Sequence, residues 1–313
     1  MKEQKVVFMG TPDFAVPILE MLIKKTNVIL VVTQPDKEVG RKKEKKYSPI
    51  KEVALKNNIE VYQPIKIKNE FEYILSKKPD IIITCAYGQI IPNELIEVPK
   101  YKAINVHASL LPKLRGGAPI HHAIIDGYKE TGITIMYMSP KMDAGDIISQ
   151  GKINIEQTDN VGTLHDKLSK LGEELLLETL PLIFDNKNKR IRQDESKVTY
   201  GYNITREEEK INFNKTAEEV YNQIRGLNPF PLAYAILNGE ETKIVKAKIN
   251  PNNKGEIGQI IEITKDSIIV KCKDQSIEIT EIKPFGKKTM TVKDYLNGIK
   301  RANLLYKEFN NEW

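Results

Sequence analysis

The sequence is poor in the residues that build disulfide scaffolds and metal centres. Its 313 residues include only two cysteines and four histidines. Cys85 and Cys272 lie far apart, inside an apolar run and an alternating run, so neither a disulfide framework nor a cysteine-ligated zinc site is favoured. The histidines do not show the spacing of metal ligands. We therefore expect a protein that works without a metal.

Long apolar runs are also missing. No stretch approaches the ~20 residues that cross a bilayer, and the opening MKEQKVVFMG has neither the apolar run nor the cleavage site of a signal peptide. We expect a cytoplasmic protein that does not cross a membrane, and we expect a monomer. A composition of 40% hydrophobic and 29% charged residues is typical of a globular protein, and the length predicts about two domains.

Short β-rich runs alternate with helical patterns through roughly the first 155 residues. Strands are predicted at residues 5–9, 28–33, 80–86, 103–107, 132–138 and 147–155, and helices at residues 16–25, 49–57, 70–76 and 120–125. Continuous apolar strands separated by helices indicate an α/β fold with a mainly parallel, Rossmann-like sheet covered on both faces. A longer helix is predicted at residues 161–184.

The composition changes after this helix. Residues 186–206 are polar and lack a period, which is typical of a linker. One helix at residues 217–225 is followed by short alternating strands between Asn, Gly and Asp turns, which predict a small OB-like β-barrel. We therefore expect a catalytic domain over residues 1–185, a linker over 186–206 and a C-terminal domain over 207–313.

Three polar residues stand out by their context. Asn105 and His107 lie two apart on the predicted strand AINVH, so their side chains face the same side, and the strand ends where such sheets place ligand crevices. Asp143 lies in a glycine-containing turn, KMDAGDII, before the next strand. These residues alone support two interpretations: a His/Asp active site, or hydrogen-bonded polar residues in a core and an ordinary turn.

The segments NVHASLLPKLRGGAPI (residues 105–120) and ETGITIMYMSPKMDAGDII (130–148) resemble the core of the folate-dependent formyltransferase family. The resemblance implies that Asn105, His107 and Asp143 are the catalytic set. It implies 10-formyltetrahydrofolate as the formyl donor. The implied donor-binding residues are those of the SLLP segment (Ser109, Leu110, Leu111 and Pro112) and of the similar loop AYGQIIP (Tyr87, Gly88 and Gln89).

The formyl acceptor is indicated by other segments. GTPDFAVPILEMLI (residues 10–23) and VVTQPDKEVGRKK (31–43) resemble the opening of formyltransferases that act on methionyl-tRNA, and IRGLNPFPLAYAIL (224–237) resembles the start of their tRNA-binding domain. Between residues 36 and 46 there are six Lys or Arg residues and three acids. The resemblance implies methionyl-initiator tRNA as the partner, with Arg41, Lys42 and Lys43 contacting it, and a role in translation initiation.

Three alternatives remain open. The basic loop and the slightly basic C-terminal region, with 14 Lys plus Arg and 9 acids in residues 243–313, also fit a solvated loop and a stabilising domain. The same catalytic core would serve a formyltransferase for a sugar-nucleotide amine. A non-catalytic RNA-binding protein built on an enzyme fold is the third.

Overall fold

The computed structural model describes residues 1–39, 44–237 and 239–298. Contacts within the chain divide it into two compact units. The first comprises Met1–Pro119, Glu130–Asn154 and His165–Tyr200, and the second comprises Ile120–Lys129, Ile155–Leu164 and the chain from Gly201 onward. In the part of the chain that the structure describes, no helix is both long enough and apolar enough to cross a membrane.

The first unit is built on a seven-stranded sheet. The strands of this part of the chain are β1 (Lys5–Gly10), β2 (Asn27–Val32), β3 (Lys37–Val39), β4 (Glu44–Lys46), β5 (Val61–Tyr62), β6 (Ile81–Cys85), β7 (Ala103–His107), β8 (Glu130–Tyr137) and β9 (Ile147–Asn154). The sheet order is β5-β2-β1-β6-β7-β8-β9, and β3 pairs only with β4. The first five strands of that order are parallel, whereas β8 and β9 are antiparallel to their neighbours. The expected mainly parallel α/β sheet is confirmed.

Helices alternate with these strands. They are α1 (Val16–Lys25), α2 (Pro49–Lys56), α3 (Glu72–Ser76), α4 (Asn93–Glu97), α5 (Pro119–Ile125) and α6 (Val161–Phe184). α2 begins where the Ser48 hydroxyl accepts a hydrogen bond from the Lys51 N–H, with a proline at its first position, as helix starts favour. Leu95 of α4 is buried in one core with Met9 of β1 and Ile82 of β6. The apolar faces of the helices therefore pack against continuous apolar strands.

The second unit contains an antiparallel sheet. Its elements are α7 (Arg206–Glu209), α8 (Ala217–Gly226), β10 (Ala233–Leu237), β11 (Glu240–Asn250), β12 (Ile260–Ile263), β13 (Ile268–Lys271), β14 (Ser276–Pro284), β15 (Met290–Thr291) and α9 (Val292–Asn297). The order is β10-β11-β14-β13-β12, with β15 on β14. A capping box between Thr216 and Glu219 starts α8, which buries Val220 in one core with Ile244 and Ile279 of the sheet. The expected series of short strands after α8 is confirmed, and these strands form an antiparallel sheet.

The segment predicted as a linker is divided between the two units, because residues up to Tyr200 belong to the first. Ile191 forms a bridge with Ile147, and the Thr199 carbonyl oxygen accepts the Arg115 N–H at 2.9 Å. The Thr199 hydroxyl accepts the Leu114 N–H at 2.9 Å. The backbone of the segment is thus bound at Ile191 and Thr199 to residues distant in sequence, so a polar stretch without a period need not be a free connection.

Candidate active site

The polar residues singled out in the sequence converge on one edge of the parallel sheet. β6 and β7 are parallel neighbours, and Thr84 lies opposite Asn105. The loops that follow these two strands therefore leave the sheet at the same edge, where open α/β sheets bind their ligands. This edge carries both loops that were predicted from the sequence to bind the formyl donor, as well as Asn105 and His107.

Asn105 presents an amide whose orientation is set by its neighbour. Its Oδ1 accepts a hydrogen bond from the Thr84 hydroxyl at 2.8 Å, and the side chain is half-buried. Among the described residues, none accepts a hydrogen bond from its Nδ2 group. A donor that is aimed by a fixed neighbour and not used inside the protein is suited to stabilising negative charge on a reacting oxygen.

His107 is buried, with 6% of its surface exposed. Its Nε2 lies 3.0 Å from the Leu114 carbonyl oxygen. A carbonyl oxygen can only accept, so this contact places a proton on Nε2. Its Nδ1 lies 3.7 Å from Oδ1 of Asp143, which is an ion-pair separation longer than a hydrogen bond. The predicted pair is therefore brought together, with one ring nitrogen facing the carboxylate.

Asp143 is presented by a tight turn. It adopts a left-handed φ of 50°, which Asp tolerates better than most residues. Its Oδ2 accepts the Gly116 N–H at 2.8 Å. Two residues later, a Cβ atom on Gly145 would lie 1.7 Å from the Tyr137 carbonyl oxygen, so this turn accommodates only glycine there. The Asp-Ala-Gly-Asp segment is thus a turn, and its first aspartate, Asp143, faces His107.

The SLLP segment after β7 is held by its own polar atoms. The Ser109 side chain is fully buried and its hydroxyl donates to the Lys113 carbonyl oxygen at 2.6 Å. The Thr134 hydroxyl donates to the Ser109 carbonyl oxygen at 2.7 Å and accepts the Leu111 N–H at 3.1 Å. Leu110 is half-buried, and Pro112 follows a cis peptide bond. Ser109 therefore shapes the loop and has its hydroxyl occupied within it.

The loop after β6 is also anchored from behind. The Tyr87 carbonyl oxygen accepts hydrogen bonds from the Thr11 hydroxyl and the Gln34 amide, each at 3.0 Å, and burial raises the pKa of the Tyr87 phenol. Gly88 has a φ of 92°. The Gln89 side chain accepts the Ile67 N–H at 2.9 Å and donates to Gln34. The Gln89 amide is thus committed to hydrogen bonds within the fold.

Comparisons with known proteins identify the family of the chain. Residues 4–180 match the family profile described as Formyl transferase, and residues 203–300 match the one described as Formyl transferase, C-terminal domain. The chain is 55% identical to a methionyl-tRNA formyltransferase of Staphylococcus epidermidis over 95% of this chain and 97% of the relative. The chain belongs to the formyl transferase family.

Two solved structures share the fold of this formyl transferase at low identity. An N-formyltransferase from Helicobacter canadensis, in complex with folinic acid and dTDP-3-aminofucose, matches with a TM-score of 0.68 at 24% identity, over 90% of this chain and 100% of that one. HypX from Aquifex aeolicus, in complex with tetrahydrofolic acid, matches with a TM-score of 0.63 at 16% identity, over 94% of this chain and 46% of that one. The chain therefore spans about half the length of HypX.

The side chains of this formyl transferase that lie behind the Asp143 turn could not be predicted from the sequence. The Gln193 amide donates to the carbonyl oxygens of Asp143 and Gly145, and it accepts from Arg115, which is fully buried. Hydrogen bonds from Arg115 and Lys141 lower the pKa of Glu195 to about 2. Gln193 and Glu195 fall in the predicted linker. Arg115 and Lys141 lie inside the two segments that resemble the family.

The basic residues assigned to the tRNA, Arg41, Lys42 and Lys43, lie outside the described residues. On either side of them, β3 and β4 pair antiparallel, and Lys45 and Lys46 of β4 are exposed. Across residues 1–39, 44–237 and 239–298, no group of three His, Cys, Asp or Glu side chains is arranged to hold a metal ion.

Proposed function

We propose that this formyl transferase moves the formyl group of 10-formyltetrahydrofolate onto the amino group of methionyl-initiator tRNA, in the cytoplasm, and so supports translation initiation. The arrangement of Asn105, His107 and Asp143 at the carboxyl edge of the sheet carries the proposal. Extended identity to a protein named methionyl-tRNA formyltransferase supports the choice of acceptor.

The reaction needs a stabilised oxyanion. The amine attacks the formyl carbon, which gives a tetrahedral intermediate with negative charge on oxygen. The Nδ2 group of Asn105 donates a hydrogen bond to that oxygen. The Thr84 hydroxyl binds Oδ1 of the same amide and so fixes the direction in which Nδ2 points. Loss of one such donor typically costs ~3–4 kcal/mol in transition-state stabilisation. No covalent bond to the enzyme is required, so the site needs no nucleophile.

A proton must leave the amine and reach the folate nitrogen as the carbon–nitrogen bond to the donor breaks. His107 stabilises the intermediate from Nε2, which exchanges the Leu114 carbonyl for the formyl oxygen as its acceptor. Asp143 faces the other ring nitrogen, orients the ring and helps to relay the proton. Positioned proton transfer of this kind contributes ~100- to 10,000-fold in rate.

The two loops at the sheet edge bind the donor in this proposal. Ser109, Leu110, Leu111 and Pro112 line one side, and the backbone of Tyr87, Gly88 and Gln89 holds the pterin ring on the other. The hydrogen bonds that fix both loops from behind support this role, because a preformed loop loses less entropy on binding. Two solved structures of this fold carry folate compounds.

Arg41, Lys42 and Lys43 contact the acceptor end of the tRNA, and the C-terminal domain binds its backbone. The exposed Lys45 and Lys46 beside them support this assignment, since a small acceptor has no use for such a concentration of positive charge. Contacts of lysine and arginine with phosphates weaken as salt concentration rises.

The test is to supply the purified chain with 10-formyltetrahydrofolate and either methionyl-initiator tRNA or an amino-sugar nucleotide. Rapid formylation of the tRNA alone is the expected result. Formylation of the sugar alone would retain the donor site and overturn the acceptor. Binding of tRNA without formylation of either acceptor would favour the non-catalytic alternative.

A further inference from the structure

A buried glutamine touches the turn that carries Asp143. Only 6% of the surface of Gln193 is exposed. Its Nε2 group donates to the carbonyl oxygens of Asp143 and Gly145, both at 2.8 Å. An amide nitrogen has two protons, so both are used on this one turn. The turn is therefore bound across its backbone by a single side chain from a segment fifty residues later.

The orientation of this amide is determined by Arg115. The Nε and Nη2 groups of Arg115 donate to Gln193 Oε1 at 3.1 and 2.8 Å. The guanidinium can only donate, so the oxygen of the glutamine must face Arg115 and its nitrogen must face the turn. Arg115 is itself held by Glu195 at 2.7 Å, and Glu195 is held by Lys141 at 2.6 Å. The side chains of Lys141, Glu195, Arg115 and Gln193 thus form a continuous series of hydrogen bonds that ends on the Asp143 backbone.

The position of Asp143 depends on few other contacts. Its carboxylate is bound by the Gly116 N–H, and its backbone has a left-handed φ of 50°, a sparsely populated conformation even for Asp. The 3.7 Å separation between its Oδ1 and Nδ1 of His107 lies just beyond hydrogen-bonding distance. A small movement of the turn would therefore either close this contact or remove it.

We infer that Gln193 is a positioning residue for the formyl transfer, which it serves by holding the turn that sets the distance from Asp143 to His107. The inference rests on the proposed function, because it requires Asp143 to act on His107. Displacement of a catalytic group by about 1 Å can cost ~100-fold in rate, so loss of this clamp should lower kcat by ~10- to 100-fold.

Two variants of the full chain test the clamp. Gln193→Glu keeps the size and the pairing with Arg115, but turns a second oxygen toward the two carbonyl oxygens. Gln193→Met keeps the length of the side chain without introducing a charge, and it replaces the first variant in the test if that variant does not fold. Arg190→Gln is the matched control, since Arg190 binds Asp146 of the same region from the exposed side at 3.1 Å. Thermal unfolding establishes that each variant is folded before its rates are compared.

We expect both Gln193 variants to lose ~10- to 100-fold in kcat, with the KM for 10-formyltetrahydrofolate within ~3-fold of the parent, because the donor loops are not touched. The control should keep the parent kcat. A folded Gln193→Glu or Gln193→Met variant with the parent kcat, beside an impaired Asp143→Ala variant, would overturn the inference and leave the proposed function intact.

A double-mutant cycle separates positioning from general support of the fold. In the Asp143→Ala background, the Gln193 substitutions should lower kcat no further, because the group that they position is gone. Equal losses in both backgrounds would mean that Gln193 acts elsewhere, and would overturn the inference. An Asp143→Ala variant with the parent kcat would instead remove Asp143 from the proposed mechanism, and with it the basis for a clamp.

Discussion

Replacing Asn105 by alanine should separate chemistry from folding. The substitution removes the Nδ2 donor and the Oδ1 acceptor of the Thr84 hydroxyl. That hydroxyl retains a second acceptor, the Ile104 carbonyl oxygen at 3.2 Å, so no buried polar group is left without a partner. One exchanged hydrogen bond changes the free energy of unfolding by only ~1 kcal/mol. We therefore expect the Asn105→Ala variant to fold.

The loss in rate should be much larger than the loss in stability. Removal of one preorganised oxyanion donor costs ~3–4 kcal/mol, which lowers kcat by ~100- to 1,000-fold. Thr84→Val should have a graded effect, because it removes only the bond that aims the amide. Loss of that bond, at ~1 kcal/mol, should lower kcat by ~5-fold. Asn105→Asp keeps the size but replaces the donor with an acceptor, so its loss should equal or exceed that of Asn105→Ala.

The assay is steady-state formylation of methionyl-initiator tRNA with both substrates saturating, beside thermal unfolding of each variant. The reasoning predicts the order parent, Thr84→Val, Asn105→Ala in decreasing kcat. A folded Asn105→Ala variant with kcat within ~3-fold of the parent would remove the residue from the mechanism, because a direct donor cannot be so dispensable. A larger loss for Thr84→Val than for Asn105→Ala would contradict the orienting bond.

Three further predictions address other parts of the chain. Gly145→Ala should lower both thermal stability and kcat, because its Cβ would lie 1.7 Å from the Tyr137 carbonyl oxygen; a variant unchanged in both measurements would contradict this. Hydrogen bonds from Arg115 and a neighbouring lysine depress the folded-state pKa of Glu195 from 4.5 to about 2, so its stabilisation is present above the unfolded value and is lost as pH falls through the folded one. The urea midpoint of Glu195→Gln should lie below that of the parent at pH ~6, and the difference should shrink as pH falls from about 5 toward 2; a constant difference would refute the ion pairing. Arg41→Ala should raise the KM for tRNA and reduce its salt dependence without changing the KM for folate, and an altered folate KM would place the loop at the other substrate.

The helices and strands were predictable because their apolar residues recur with the spacing of the helix or the strand. The strand Ala103–His107 and the helices Val16–Lys25 and Val161–Phe184 have the predicted bounds. β10 (Ala233–Leu237) was not predicted as a strand, since its five residues are all buried and show no alternation. The antiparallel direction of β8 was likewise not predictable, because a buried strand has the same apolar run in either direction.

The sequence by itself determined the alternation of strands and helices, the change to short alternating strands after the long helix, and the residues that carry the family resemblance. These properties are local, since they depend on spacing along the chain. Only the tertiary structure decided how Asp143 is held against His107. Its support comes from Arg115 and from Gln193, in a segment without periodicity whose hydrogen bonds are made with loops distant in sequence. Such contacts leave no pattern in the sequence, because a hydrogen bond across fifty residues requires only that the fold bring a donor to an acceptor.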